Sequence, residues 1–304
     1  MLQALLLAAM TGTCPVPAVS HPIAMPVDDR NDRFFATART LSGVSLLFYI
    51  DSGGGGPFMF SDTASRLGQN GKTAQLTFAC DGWIPMDAAL LIAPASLRSG
   101  VVGIDKQMDG LLGGRWLDGH TWTWDYLQRQ LWLRAPGDVP SVGADHVVTL
   151  HFQTSNGEHT TGFARIEAAI DGTTYSLLLD TGATTEVSAA AQKAGNFPDA
   201  PFATSFISKS IADRWHAAHP DWPYIPDAET DTPWHAAMIQ VPSVTVGGYT
   251  VGPVWFTDRP DANFAKYMSQ WMDAPVVGAL GGSALKNFRM TVDYRAERAY
   301  FERP

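Results

Sequence analysis

Two triplets carry the residue types that could do chemistry in this chain: Asp51-Ser52-Gly53 and Asp180-Thr181-Gly182. Each ends an apolar run, Leu46 to Ile50 before the first and Leu177 to Leu179 before the second, and such runs read as buried strands. A carboxylate at the end of a buried strand is costly unless it meets hydrogen-bond donors or a partner. The hydroxyl that follows each aspartate can donate locally, and the glycine permits a sharp turn and close backbone approach. Two such loops in one chain imply two carboxylates brought face to face. At close range they cannot both ionise, so the pair shares one proton. The ionised member can then draw a proton from water while the protonated member polarises a second group.

The triplets sit inside an internal repeat. Gly43 stands eight residues before Asp51 (51 − 43) and Gly172 eight before Asp180 (180 − 172). Downstream, Gly113-Gly114-Arg115-Trp116-Leu117 matches Gly281-Gly282-Ser283-Ala284-Leu285. Leu117 and Leu285 are each followed eight residues later by Asp-Tyr, at Asp125-Tyr126 (125 − 117) and Asp293-Tyr294 (293 − 285). Both halves close on an apolar strand, Leu131 to Leu133 and Ala299 to Phe301. Four landmarks in one order, with equal local spacing, mark a duplication.

With both triplets inside this repeat, the chain resembles the aspartic peptidases, whose signature is Asp-Thr/Ser-Gly. It is similar to the pepsin-like and retropepsin-like members, as a bacterial-type, two-lobed form. Those enzymes also carry a hydrophobic-hydrophobic-Gly element in each half, packed beneath the catalytic loop. Leu111-Leu112-Gly113 and Ala279-Leu280-Gly281 match it. The resemblance spans roughly residues 34–133 and 162–301. It implies a mostly β, two-lobed acid-peptidase-like fold with a few short helices. It further implies that Asp51 and Asp180 form the catalytic dyad. Ser52 and Thr181 would brace the two loops against each other, and Gly53 and Gly182 would make the turns that expose the carboxylates. Two features depart from the pattern. The residue after the triplet is Gly54 in one half and Ala183 in the other, where pepsin-like enzymes often keep a hydroxyl and retroviral-type enzymes an alanine. No tyrosine lies between Asp51 and Gly113, where pepsin-like enzymes carry one on a flap. Trp83, at the tip of a predicted hairpin through Cys80-Asp81-Gly82, is the substitute candidate for contacting substrate.

The elements that must hold these loops follow from local pattern. Residues 33–39, 44–50, 73–78 and 88–92 read as strands of a first lobe spanning 32–133. Residues 134–145, rich in proline and glycine, read as a linker. The second lobe spans 146–304 and opens with strands over 146–153 and 163–170. Asp51 to Gly113 covers 62 residues and Asp180 to Gly281 covers 101, so the second half holds 39 more (101 − 62). They are assigned to an insertion over 197–235 with a helix over 209–219, whose Trp215, Trp222 and Trp234 either pack it onto the lobe or shape ligand binding beside the cleft. Residues 261–271 read as a second helix.

Composition narrows the function classes. Of 304 residues 45% are apolar and 17% charged, with 28 glycines and 20 prolines, which suits a turn-rich β protein with a substantial core. A net charge of −9 argues against nucleic acid or an anionic membrane surface as partner. Residues 1–20 lack charged side chains and read as a secretory signal peptide or a disordered tail; as a signal peptide they imply a periplasmic or secreted location. Cleavage would remove Cys14 and leave Cys80 as the sole thiol. No run approaches a transmembrane span. His216 and His219 have the spacing of a metal pair but no evident third ligand, and no cofactor motif is present. The glycines at 53–56 are followed by no Lys-Ser/Thr and are not a phosphate loop. The leading reading is a monomeric endopeptidase acting on peptides or unfolded proteins. The alternatives are a catalytically silent peptide-binding protein that keeps the cleft, and a homodimer pairing triplets between chains.

Overall fold

The computed structural model describes residues 19–99, 107–229 and 235–303. The segment read as a signal peptide, save its last two residues, lies outside them, as do Cys14 and Trp234. The fold is mostly β and two-lobed, with a few short helices. A seven-stranded sheet forms entirely from residues 27–112 and a nine-stranded sheet from residues 165–280. A six-stranded sheet joins them, with strands from both halves of the chain.

Each lobe builds its triplet loop the same way. A hairpin leads in, Phe34–Arg39 against Ser45–Ile50 in one lobe and Arg165–Ile170 against Thr173–Leu179 in the other. The repeated glycines turn these hairpins: Gly43 lies at φ +86° and Gly172 at φ +71°, a region other residues seldom adopt. The strand ending at the aspartate then pairs in parallel with the hydrophobic-hydrophobic-Gly strand, Ile50 opposite Leu112 and Leu179 opposite Leu280. A third strand crosses antiparallel to that one, Phe58–Phe60 in the first lobe and Ser205–Ser208 in the second. A helix follows each, Ser61–Arg66 and Lys209–Ala218. Each third strand also pairs in parallel with a later one, Leu90–Ala93 and Val254–Arg259.

This correspondence revises the insertion over 197–235. Its strand Ser205–Ser208 and helix Lys209–Ala218 are members of the repeat. The extra length falls on either side of them. Asp180 to Ser205 spans 25 residues where Asp51 to Phe58 spans 7, and Ser208 to Val254 spans 46 where Phe60 to Leu90 spans 30. Trp215 is buried, and its indole N–H donates to the Tyr175 hydroxyl at 3.2 Å, fixing the helix to the sheet. Residues 261–271 form one wide helical turn, Asn263–Tyr267, followed by a tight one, Met268–Trp271.

The closing hairpins of the two lobes meet in the central sheet. Thr121–Asp125 pairs antiparallel with Arg289–Asp293, with Thr123 opposite Thr291. Those two hydroxyls lie 2.6 Å apart. Their separation of 168 residues equals that between Asp125 and Asp293 (293 − 125) and between Gly113 and Gly281 (281 − 113), so the pair marks the axis relating the halves. The hairpin expected at Cys80–Trp83 is instead a tight helical turn, Cys80–Gly82. Gly82 sits on the backbone of Arg39, where a Cβ would come within 2.4 Å of the amide nitrogen, so the segment lies on the sheet instead of projecting as a hairpin. In the uncleaved chain Cys80 is not a free thiol; its reading as the sole thiol concerns the cleaved chain.

Candidate active site

The two aspartates are anchored alike. The Asp51 N–H donates to the Leu112 carbonyl at 3.1 Å and the Asp180 N–H to the Leu280 carbonyl at 3.0 Å. Each carboxylate then accepts from the glycine that ends its triplet, Gly53 N–H to Asp51 Oδ1 at 2.8 Å and Gly182 N–H to Asp180 Oδ1 at 3.0 Å. Beneath them Leu112 and Leu280 are buried, and Gly113 and Gly281 allow close packing: a Cβ at either would stand 2.0 Å from a carbonyl oxygen, of Gly55 and Thr204 respectively. Leu111 and Ala279 complete the two supporting strands and are buried as well. Asp109, just ahead of the first, accepts from the Leu47 N–H at 2.9 Å and the Thr63 hydroxyl at 2.7 Å, tying strand ends together.

The loops are braced across the lobes. Thr181 N–H donates to Ser52 Oγ at 2.9 Å, and Ser52 N–H donates to Thr181 Oγ1 at 3.1 Å. Ser52 Oγ also donates to the Leu179 carbonyl at 2.7 Å. Each loop leaves room for the opposite carboxylate by lacking a side chain: a Cβ on Gly53 would lie 2.5 Å from the Asp180 carboxyl carbon, and one on Gly182 would lie 2.2 Å from that of Asp51. The carboxylates therefore face each other, close enough for each to act on the other's titration.

Burial dominates their electrostatics. Asp180 is 8% exposed, and its carboxyl is pushed well above the usual range, first by desolvation and then by the Asp51 charge. Asp51 is raised too, by burial, but the hydrogen bond from Asp180 and the N–H groups of Gly53 and Gly54 oppose the rise. Both carboxyls are thus raised by burial, and at this range the pair holds one proton between them. Gly54 and Ala183 lack side-chain donors, yet their backbone N–H groups stabilise the charge on the respective aspartates.

One contact at the dyad was not anticipated. Tyr49 is buried, and its hydroxyl donates to the Gly182 carbonyl at 2.7 Å and lies 2.7 Å from Thr184 Oγ1. It thus clamps the second triplet loop from the first lobe. Desolvation and the Asp51 charge push its phenol far above its ordinary value, so it stays neutral. The signal for it was strand alternation: two residues before Asp51, its side chain points to the same face.

Other candidates lie elsewhere. Trp83 packs against the main core and is not among the residues lining the cleft beside Gly53. His219 pairs with Asp171 at 2.7 Å and stacks on Trp222, and His216 stacks on Tyr224. Among the described residues no cluster of three or more His, Cys, Asp or Glu is arranged to hold a metal. No described helix is long and apolar enough to cross a membrane.

No protein-family model matches the chain, and no curated protein does. Among solved structures, the chain is similar to a retropepsin-like aspartic protease from Rickettsia conorii, at 16% identity and a TM-score of 0.31, covering 52% of this chain and 92% of that one. It is similar to an aspartic proteinase from Irpex lacteus at 8% identity and a TM-score of 0.48, covering 93% and 97%. It is also similar to conglutin gamma, a basic 7S globulin from lupine seeds, at 11% identity and a TM-score of 0.49, covering 93% and 95%.

Proposed function

We propose that this chain is an aspartic-type endopeptidase in which Asp51 and Asp180 activate water against a peptide carbonyl. The observation that carries the reading is the pair of facing carboxyls at the meeting of two alike, cross-braced loops. In this scheme the ionised member of the pair takes a proton from water. The protonated member hydrogen-bonds the carbonyl oxygen and stabilises the charge that develops there. The proton gathered from water then passes to the leaving nitrogen, and the pair returns to one shared proton. Ser52, Thr181 and Tyr49 act by position, holding the carboxyls at a fixed spacing, which matters because small displacements are costly in rate. The four groups Leu111, Leu112, Ala279 and Leu280 support the loops from below. The test is incubation of the purified chain with a denatured protein from about pH 3 to about pH 7, with product termini read by mass spectrometry. Internal cleavage is expected. Peptide binding without cleavage at any pH would favour the catalytically silent reading.

A further inference from the structure

The run Gly53 to Gly56 is not explained by the dyad alone. Gly53 makes room for Asp180, and a Cβ on Gly54 would meet Asp51 Oδ2 at 2.9 Å. Gly55 and Gly56 have no such duty. Neither lies at positive φ; a Cβ on Gly55 would meet nothing within 4 Å, and one on Gly56 would meet only the Arg115 side chain, at 4.0 Å. Backbone conformation and close packing would therefore accept side chains at both positions. What their absence preserves is space. Gly53, Gly55 and Gly56 line a cleft of 360 Å³, and Gly53, which also abuts the Asp180 carboxyl, places that cleft beside the two aspartates.

The opposite wall is apolar and comes from the second lobe, with Phe163, Tyr267, Met268 and Trp271. Tyr267 is 67% exposed and Trp271 43%, and no other aromatic residue among the described ones is a large exposed hydrophobic. Such a concentration marks a binding surface. The same cleft holds one cation. Arg115 is exposed and donates to the Thr160 carbonyl across the lobes. Among the described residues it has no acidic partner. It stands where the repeat has Ser283 in the other half (283 − 115 = 168, the offset of the repeat), so the charge belongs to one side of the site only. A guanidinium with unused N–H donors, beside an apolar wall in a chain of net charge −9, is complementary to a carboxylate.

We propose that this cleft is a subsite for a bulky apolar side chain joined to a carboxylate, the apolar part against Tyr267, Met268 and Trp271 and the carboxylate on Arg115. Substrates are then peptides with an acidic group near the apolar residue, either an Asp or Glu side chain or the peptide's own carboxyl terminus. The inference rests on the reading of the dyad as the catalytic centre.

The test uses three matched peptides that share one phenylalanine-containing core: a carboxyl-terminal acid, its amide, and an amide with a Glu beside the apolar residue. Cleavage is measured with the wild-type chain and binding with the Asp51→Asn variant. At least one acidic peptide should exceed the neutral amide about tenfold in kcat/KM and in affinity, the low end for a hydrogen bond to a charged group. The arm that shows the preference identifies the source of the carboxylate. In Arg115→Gln the acid-to-amide ratio should fall to about one. Gly55→Leu, which projects into the cleft, should weaken all three peptides about tenfold or more. Cleavage without acid preference would overturn the subsite and leave the dyad standing. Binding preference without cleavage would keep the subsite and overturn the peptidase. Unchanged ratios in Arg115→Gln, or an unaffected Gly55→Leu, would overturn the assignment of these residues.

Discussion

The cross-lobe brace is uneven, and the unevenness sets a quantitative prediction. Ser52 Oγ takes part in two hydrogen bonds, accepting from Thr181 N–H and donating to the Leu179 carbonyl, whereas Thr181 Oγ1 accepts one, from Ser52 N–H. Ser52 and Thr181 are each 1% exposed, so water does not replace a lost partner. Ser52→Ala strands a buried N–H, at a cost of about 1–3 kcal/mol, and deletes a second bond with a net worth of about 0.5–1.5 kcal/mol. The expected loss is roughly 2–4 kcal/mol. Thr181→Val strands one N–H and keeps the side-chain shape, so it should cost about 1 kcal/mol less than Ser52→Ala. Urea titration reads both numbers as a shift in midpoint at unchanged slope. Because the same contacts fix the spacing of the carboxyls, kcat/KM should fall in the same order. A Ser52→Ala variant losing under about 0.5 kcal/mol, or a Thr181→Val variant losing as much as Ser52→Ala, would refute the assignment of the load to Ser52.

Three further outcomes are expected. The Asp180 carboxyl is raised well above 3.8, so the folded chain binds more protons than the unfolded one; this contribution is complete below that pH and lost as pH rises through the folded value. Asp180→Asn should therefore gain stability relative to wild type from about pH 4 upward, by roughly 1.4 kcal/mol for each tenfold elevation in proton affinity, and melts at two pH values that show no widening gap would contradict the burial of this group. Glu229 is fully buried, pairs with Arg259 through contacts of 2.8 Å and 2.9 Å, and accepts from the Thr185 hydroxyl; Glu229→Ala should cost about 3–5 kcal/mol, far more than the same change at exposed Glu158, as read by urea titration. Both triplets lie on one chain, so specific activity should hold constant on dilution and scattering should give an active species near 32.9 kDa; activity falling with dimer dissociation would contradict this.

Much of the frame was legible because each signal was local. Apolar runs ending in aspartate, turn glycines eight residues upstream and the Gly-Gly landmarks all depend on neighbours within one strand or turn. The repeat of Ser205–Ser208 was hidden because a four-residue strand of Ser-Phe-Ile-Ser leaves little periodicity to read, and because the added residues flank it on both sides. The turn at Cys80–Gly82 was read as a hairpin because a polar turn followed by an aromatic has the composition of a hairpin tip, while the close approach of Gly82 to Arg39 is a tertiary contact. Arg115 and Tyr267 lie 152 residues apart (267 − 115) and meet only in the folded cleft. The one sequence trace of that cleft was the break in symmetry, arginine against serine within an otherwise matching landmark.

The central claim is that Asp51 and Asp180 work as one unit with one shared proton. The direct measurement is kcat/KM for Asp51→Asn, Asp180→Asn and the double variant on a single peptide, with circular dichroism to show that each is folded. Groups that act together lose their effect together. Each single change should lower kcat/KM by roughly a thousandfold or more, and the double variant should lie within about tenfold of the singles. Near-normal turnover in either single variant, or losses that multiply in the double, would contradict the dyad.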